Sequence, residues 1–193
     1  MNDEKIRKHF SIKYLKKINP LESILLNEVG IINGSSIVDI AAITKSSIEG
    51  FEIKSADDTL YRLPRQIHFY DKVFDFTSII TEKPHFEEVE RVVPRHWGLI
   101  LAEETTSDVN FLEIRTPTVN NLNDDYSISL LLWKNEIICE LVKRGIKGAH
   151  RERIAKLRKL LISIPDVNIR EVVYFYLKTR VSWKLEINNE FHS

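Results

Sequence analysis

Two short apolar stretches that each carry charge constrain this chain more than any other feature. Residues 36–43 read SIVDIAAI and residues 48–54 read IEGFEIK, and the polar segment between them is short enough for a hairpin. Alternate side chains of an extended strand share a face, so Glu52 and Lys54 point one way while Phe51 and Ile53 point the other. Asp39 sits between Val38 and Ile40, in a stretch with the apolar character of a covered strand. Three ionisable groups therefore converge where a core would hold none. An isolated buried charge is costly unless it is paired or binds a metal. A divalent cation held by Asp39 and Glu52, with Lys54 beside it, would satisfy all three. The structural alternative is a buried Asp39 that caps a nearby loop.

This spacing, an acidic residue on one strand and acidic-x-Lys on the next, resembles the signature of the PD-(D/E)XK nuclease superfamily. The usual Pro before the Asp is Val38 here. An expected upstream helix carrying Glu28, and a later helix with Gln66 and Tyr70 one turn apart, resemble the flanking elements of that superfamily. More narrowly, GFEIKSADDTL at residues 50–60 and RLPRQ at residues 62–66 look like a family of uncharacterised bacterial proteins known by a myxobacterial locus tag. That likeness runs from about residue 20 to about residue 183.

The resemblance implies a restriction-endonuclease-like core and hydrolysis of phosphodiester bonds assisted by Mg²⁺ or Mn²⁺. Asp39, Glu52, the Ile53 carbonyl and Glu28 would be the metal ligands, and Lys54 would position water or stabilise charge. Gln66 and Tyr70 would border the site, and Arg62, on the same helix face, would touch phosphate. A divalent cation suits such chemistry because it neutralises transition-state charge and lowers the pKa of an attacking water. The alternatives are an RNA-cleaving enzyme and a non-enzymatic nucleic-acid or protein binding module on the same fold.

Charge distribution bears on the partner. The chain has zero net charge overall, yet it is +4 over residues 1–20, −11 over 21–142 and +8 over 143–180. The C-terminal run contains Lys143, Arg144, Lys147, Arg151, Arg153, Lys156, Arg158 and Lys159, which form an expected phosphate-binding surface. Its bland counterpart is a solvated helix face. Nucleic acid, with DNA expected, is the partner implied, and a homodimer or a partner protein is a further expectation. One cysteine, Cys139, excludes an internal disulfide, and neither a signal-peptide h-region nor an apolar run near the length of a membrane span is present. A soluble cytoplasmic protein is the expectation. His68, His85, His96 and His150 lack zinc-site spacing, and there is no Gly-rich phosphate loop.

At 193 residues the chain is long enough for one sizeable core. The apolar pattern predicts helices near the N-terminus, at 21–29 closed by Gly30, and from Asp57-Asp58-Thr59 to about residue 73. It predicts further strands at 76–81, 97–102 and 109–115, with a short helix at 86–92, and then helices at 127–144, 149–163 and 167–182. The expected class is α/β, a mixed central sheet flanked by helices, with residues 1–115 as the core and 116–193 as a basic helical extension.

Overall fold

The two charged strands form the expected hairpin. β2 (Ser36–Thr44) pairs antiparallel with β3 (Ile48–Lys54), in a register running from Ile43↔Ile48 to Ile40↔Phe51. The structure is a computed structural model describing the backbone of residues 1–19, 22–106 and 108–190, with side chains as far as residue 181. Pro20 and Leu21, where the sequence pattern places a helix boundary, lie outside the described residues, as does the chain end after residue 190.

Around the hairpin the sheet grows to six strands in the order β1-β2-β3-β4-β5-β6, with β1 (Ser23–Ile31), β4 (Phe76–Thr81), β5 (Gly98–Glu104) and β6 (Val109–Arg115). β3, β4 and β5 run parallel and the other neighbours antiparallel, so the sheet is mixed. The parallel pairs require crossovers, which are α2 (Leu63–Tyr70), entered through a 3₁₀ turn at Leu60–Arg62, and α3 (Lys83–Val92). The chain's N-terminal helix covers one face of β4 and later helices cover the other, so nearly all of FTSIIT is buried.

β1 corrects the expected helix at 21–29. Ile24, Leu25, Leu26 and Val29 fit a helical stripe, but they lie in a strand paired with β2 from Ser23↔Thr44 to Ile31↔Ser36. Long-range pairing overrides a local pattern that suits either state. The turn that follows takes three left-handed residues in succession, Ile32 (φ 48°), Asn33 (φ 56°) and Gly34 (φ 80°). Asn and Gly adopt that conformation readily, whereas a β-branched Ile there is strained by ~1–3 kcal/mol.

α1 (Asp3–Leu15) lays Ile6 and Phe10 on one sheet face, against Ile40, Phe51, Ile53 and Ile80, and the Phe10 and Phe51 rings lie 4.9 Å apart. The opposite face carries the larger core. There Val38, Ile43, Ile79 and Leu99 meet Leu63 and Tyr70 of α2, Val89 of α3 and the C-terminal helices. These are α4 (Asp125–Ser129), α5 (Lys134–Lys143), α6 (Ile154–Ser163) and α7 (Ile169–Glu190). The single helix expected at 127–144 is two, because Trp133 caps α5 and donates its N–H to Glu136 at 2.7 Å. Asp58 likewise does not cap α2. It accepts from the N–H and hydroxyl of Ser55 at 2.8 and 2.7 Å, closing the turn that precedes the helix.

Candidate functional site

β3 places Gly50, Glu52 and Lys54 on the side of α2. Gly50 faces the Phe74 ring, where a Cβ would come within 2.7 Å of the ring edge. Next to it Glu52, 1% exposed, is enclosed by hydrogen-bond donors. Lys54 Nζ lies 2.5 Å from Glu52 Oε1, Gln66 Nε2 donates to the same oxygen, and the Tyr70 hydroxyl lies against Oε2. That hydroxyl also sits 2.9 Å from the Ile37 carbonyl, so one phenol proton serves two acceptors. Burial, followed by the charge of Glu52, holds the Tyr70 phenol well above its ordinary pKa. Lys54, Gln66 and Tyr70 thus converge on one carboxyl group.

Asp39 occupies the point where the pairing of β2 with β3 stops. The backbone ladder ends at Ile40↔Phe51, and Asp39 Oδ2 then accepts the N–H of Ile53 at 2.7 Å. The side chain continues the hydrogen bonding beyond the end of the ladder. Its other oxygen faces Arg7 of α1 at 3.6 Å. The Asp39 carboxyl is pushed up to about 7, first by burial and next by the charge of Glu52, with the Ile53 N–H opposing. Arg7 also pairs with Glu28 at 2.7 Å and with Asp3, so Glu28 approaches the site only through that guanidinium. Glu28 stands on a strand, with φ 53°, and not on the expected helix.

The three carboxylates expected as metal ligands therefore have other partners. Glu52 is bound by three side chains, Asp39 and the Ile53 N–H satisfy one another, and Glu28 holds Arg7. Among the described residues no three His, Cys, Asp or Glu side chains are grouped to hold a metal ion.

Above this polar cluster opens a groove of about 720 Å³. One wall is the end of the turn and the start of β2, with Gly34, Ser35, Ser36 and Ile37, and the other is Tyr61, Arg62, Pro64, Arg65 and Gln66. Tyr61 is 92% exposed and Ile37 56% exposed. Arg62 has no acidic partner among the described residues, and Arg65 lies over the Phe69 ring, 5.4 Å from its centroid. Helix spacing singles out Arg62 and passes over Tyr61, although a Tyr-Arg-x-x-Arg run is a visible signal of an aromatic among cations.

The C-terminal cations divide into three kinds. Arg158 is 5% exposed and donates to the carbonyls of Ser129 and Leu132 at 3.2 and 3.1 Å, so it is a core residue and not part of a phosphate-binding surface. Its position four residues after Ile154, on the same stripe as Leu157 and Leu161, was the signal. Lys143, Arg144 and Lys156 are engaged by neighbours: Lys143 lies over the Phe175 ring, Arg144 pairs with Glu140 at 2.7 Å and Lys156 with Glu152 at 2.8 Å. Lys147, Arg151, Arg153 and Lys159 are exposed and have no acidic partner among the described residues. A further residue that sequence reasoning missed is Asp75, flanked by Phe74 and Phe76 much as Asp39 is flanked by Val38 and Ile40. It accepts the Ile48 N–H at 2.8 Å, Asn123 Nδ2 at 2.7 Å and Arg170 of α7 at 2.6 Å.

No helix among the described residues is long and apolar enough to cross a membrane. The family model of bacteriophage P4 protein cII matches residues 1–187. Protein cII of Enterobacteria phage P4 is 29% identical over 171 residues, covering 88% of this chain and 64% of that protein. The chain thus spans a little under two-thirds of that relative. A Silicibacter pomeroyi protein of unknown function aligns with a TM-score of 0.42 and 15% identity, over 77% of this chain and 87% of its own, too weak a likeness to support an assignment. A match to a protein cII along nearly the whole chain overturns the resemblance to the PD-(D/E)XK superfamily and to the myxobacterial family. The nuclease, hydrolase and metal-binding roles drawn from that resemblance fall with it. Matched from its first residue to residue 187, the chain belongs to the bacteriophage P4 protein cII family.

Proposed function

We propose that this chain is a non-enzymatic nucleic-acid-binding module that holds the phosphate backbone of DNA on the cationic surface around α6. The observation that carries the reading is the set Lys147, Arg151, Arg153 and Lys159, exposed within one short segment and without an acidic partner among the described residues. Four uncompensated cations on a chain of zero net charge make a local positive field. Phosphates that neutralise such groups release condensed counterions, which supplies affinity without reading sequence.

The test is fluorescence anisotropy with labelled duplex DNA over a salt series. Replacing all four residues by Ala should weaken binding alike on unrelated sequences. It should also flatten the dependence of log affinity on log salt, by about 0.9 for each phosphate that is no longer neutralised. Lys156→Ala, which removes a cation already paired with Glu152, should change the slope less. A fourfold variant with unaltered affinity and slope would rule the reading out. In that case the exposed Leu112 and Ile114 on edge strand β6 favour a protein-binding module, visible as a concentration-dependent mass by light scattering.

A further inference from the structure

The groove above Glu52 is not used by the phosphate-backbone reading, yet its lining is unusual for plain surface. Tyr61 projects almost wholly into solvent, and water gives an aromatic ring no stacking partner. On the same wall stand two guanidinium groups, Arg62 with no acidic partner among the described residues and Arg65 braced against Phe69. Across the groove are the hydroxyls of Ser35 and Ser36 and the exposed apolar surface of Ile37. The volume, about 720 Å³, lies within the range of small-ligand clefts.

We infer that this groove takes an unpaired nucleotide of a single-stranded nucleic acid, with its base stacked on Tyr61 and its phosphate held by Arg62 and Arg65. The inference rests on, and deepens, the nucleic-acid reading above. The lining offers what such a unit presents. Every base has a π face that stacks on an aromatic ring whatever its sequence, and a planar guanidinium meets phosphate oxygens in a bidentate fork. The seryl hydroxyls donate or accept at the sugar and phosphate edge, and Ile37 supplies apolar surface to the far side of a base. A duplex keeps its bases paired and stacked within the helix, so it can offer the groove phosphate and no free base. A carboxylate ligand is disfavoured on the same grounds, since Tyr61 and Ile37 would remain in water.

The experiment compares labelled single-stranded DNA, single-stranded RNA of matching sequence and duplex DNA by anisotropy, each over a short salt series. The proteins are the wild type, Tyr61→Ala, Tyr61→Trp and the double variant Arg62→Ala with Arg65→Ala. All these positions are exposed, and circular dichroism melting verifies that the variants fold. Tyr61→Ala should weaken single-strand binding on the order of 10-fold while leaving the duplex unchanged. Tyr61→Trp should retain or strengthen it, and the double Arg variant should weaken it and reduce its salt dependence. Loss on DNA, RNA or both supports the site and tells which sugar it accepts. Unchanged single-strand affinity in Tyr61→Ala, or an equal loss on the duplex, overturns the groove alone, since the α6 surface is tested separately by its own fourfold variant. A wild type that binds none of the three polymers overturns both readings together.

Discussion

Asp39 is held by one short hydrogen bond and by an unfavourable environment, and the two can be separated by substitution. Its oxygen satisfies the buried Ile53 N–H, so Asp39→Ala leaves a donor without a partner and should cost about 1–3 kcal/mol. Asp39→Asn keeps an acceptor and removes the charge. The folded-state value of about 7 stands above the unfolded 3.8, so the folded protein binds the proton more tightly. Stability from this group is therefore present below about pH 4, falls as pH rises towards 7, and is lost above it. The melting temperature of Asp39→Asn relative to wild type should rise across that window, measured by calorimetry at fixed ionic strength. A difference that stays flat from pH 4 to pH 7 would show that Asp39 does not titrate there.

At the scale of elements, α6 shows how two neighbouring cations serve opposite ends. Arg158 turns inward and donates to carbonyls at the end of α4, while Lys159 turns to solvent. Burial lowers the pKa of the Arg158 guanidinium, which marks the cost of placing it in the core. Arg158→Met should destabilise the protein by about 1.5–3 kcal/mol, since two carbonyls lose a charged donor, with nucleic-acid affinity unchanged per folded molecule. Lys159→Met should do the reverse, leaving denaturant midpoints in place and weakening binding. Urea titration paired with anisotropy distinguishes them, and equal midpoints for the two variants would contradict the assigned roles.

Across the whole molecule, the C-terminal helices and the sheet share one buried cluster, from Ile24 of β1 to Leu177 of α7. Arg170 ties α7 to the start of β4 through its paired contacts with Asp75, an acid that also anchors β3 through the Ile48 N–H. Unfolding should therefore be a single transition, with far-UV circular dichroism and tryptophan fluorescence coincident. A fragment ending at residue 115 should fail to fold, because Trp97, Ile79 and Leu99 would lose their cover. Arg170→Ala should lower stability on the order of 3 kcal/mol by leaving the Asp75 carboxyl unpaired. Two separated transitions would instead mark residues 116–193 as an independent unit.

Much of this was written in local pattern. The hairpin at 36–54, the strands near 76, 98 and 109, and the helical C-terminal part follow from periodicity and turn residues, which act over a few positions. Alternation in β3 puts Glu52 and Lys54 on one face, and four-residue spacing puts Gln66 and Tyr70 on one face of α2. That the two faces meet was only implied by the family resemblance and is a fact of the tertiary structure. What those groups do was decided by tertiary structure. Whether a carboxyl binds an ion or a neighbouring N–H depends on which donors the fold brings within reach, and Arg7 and Tyr70 arrive from elements distant in the chain. The same holds for β1, whose residues suit helix or strand until β2 offers an edge, and for Arg158, a cation by sequence that packing made part of the core.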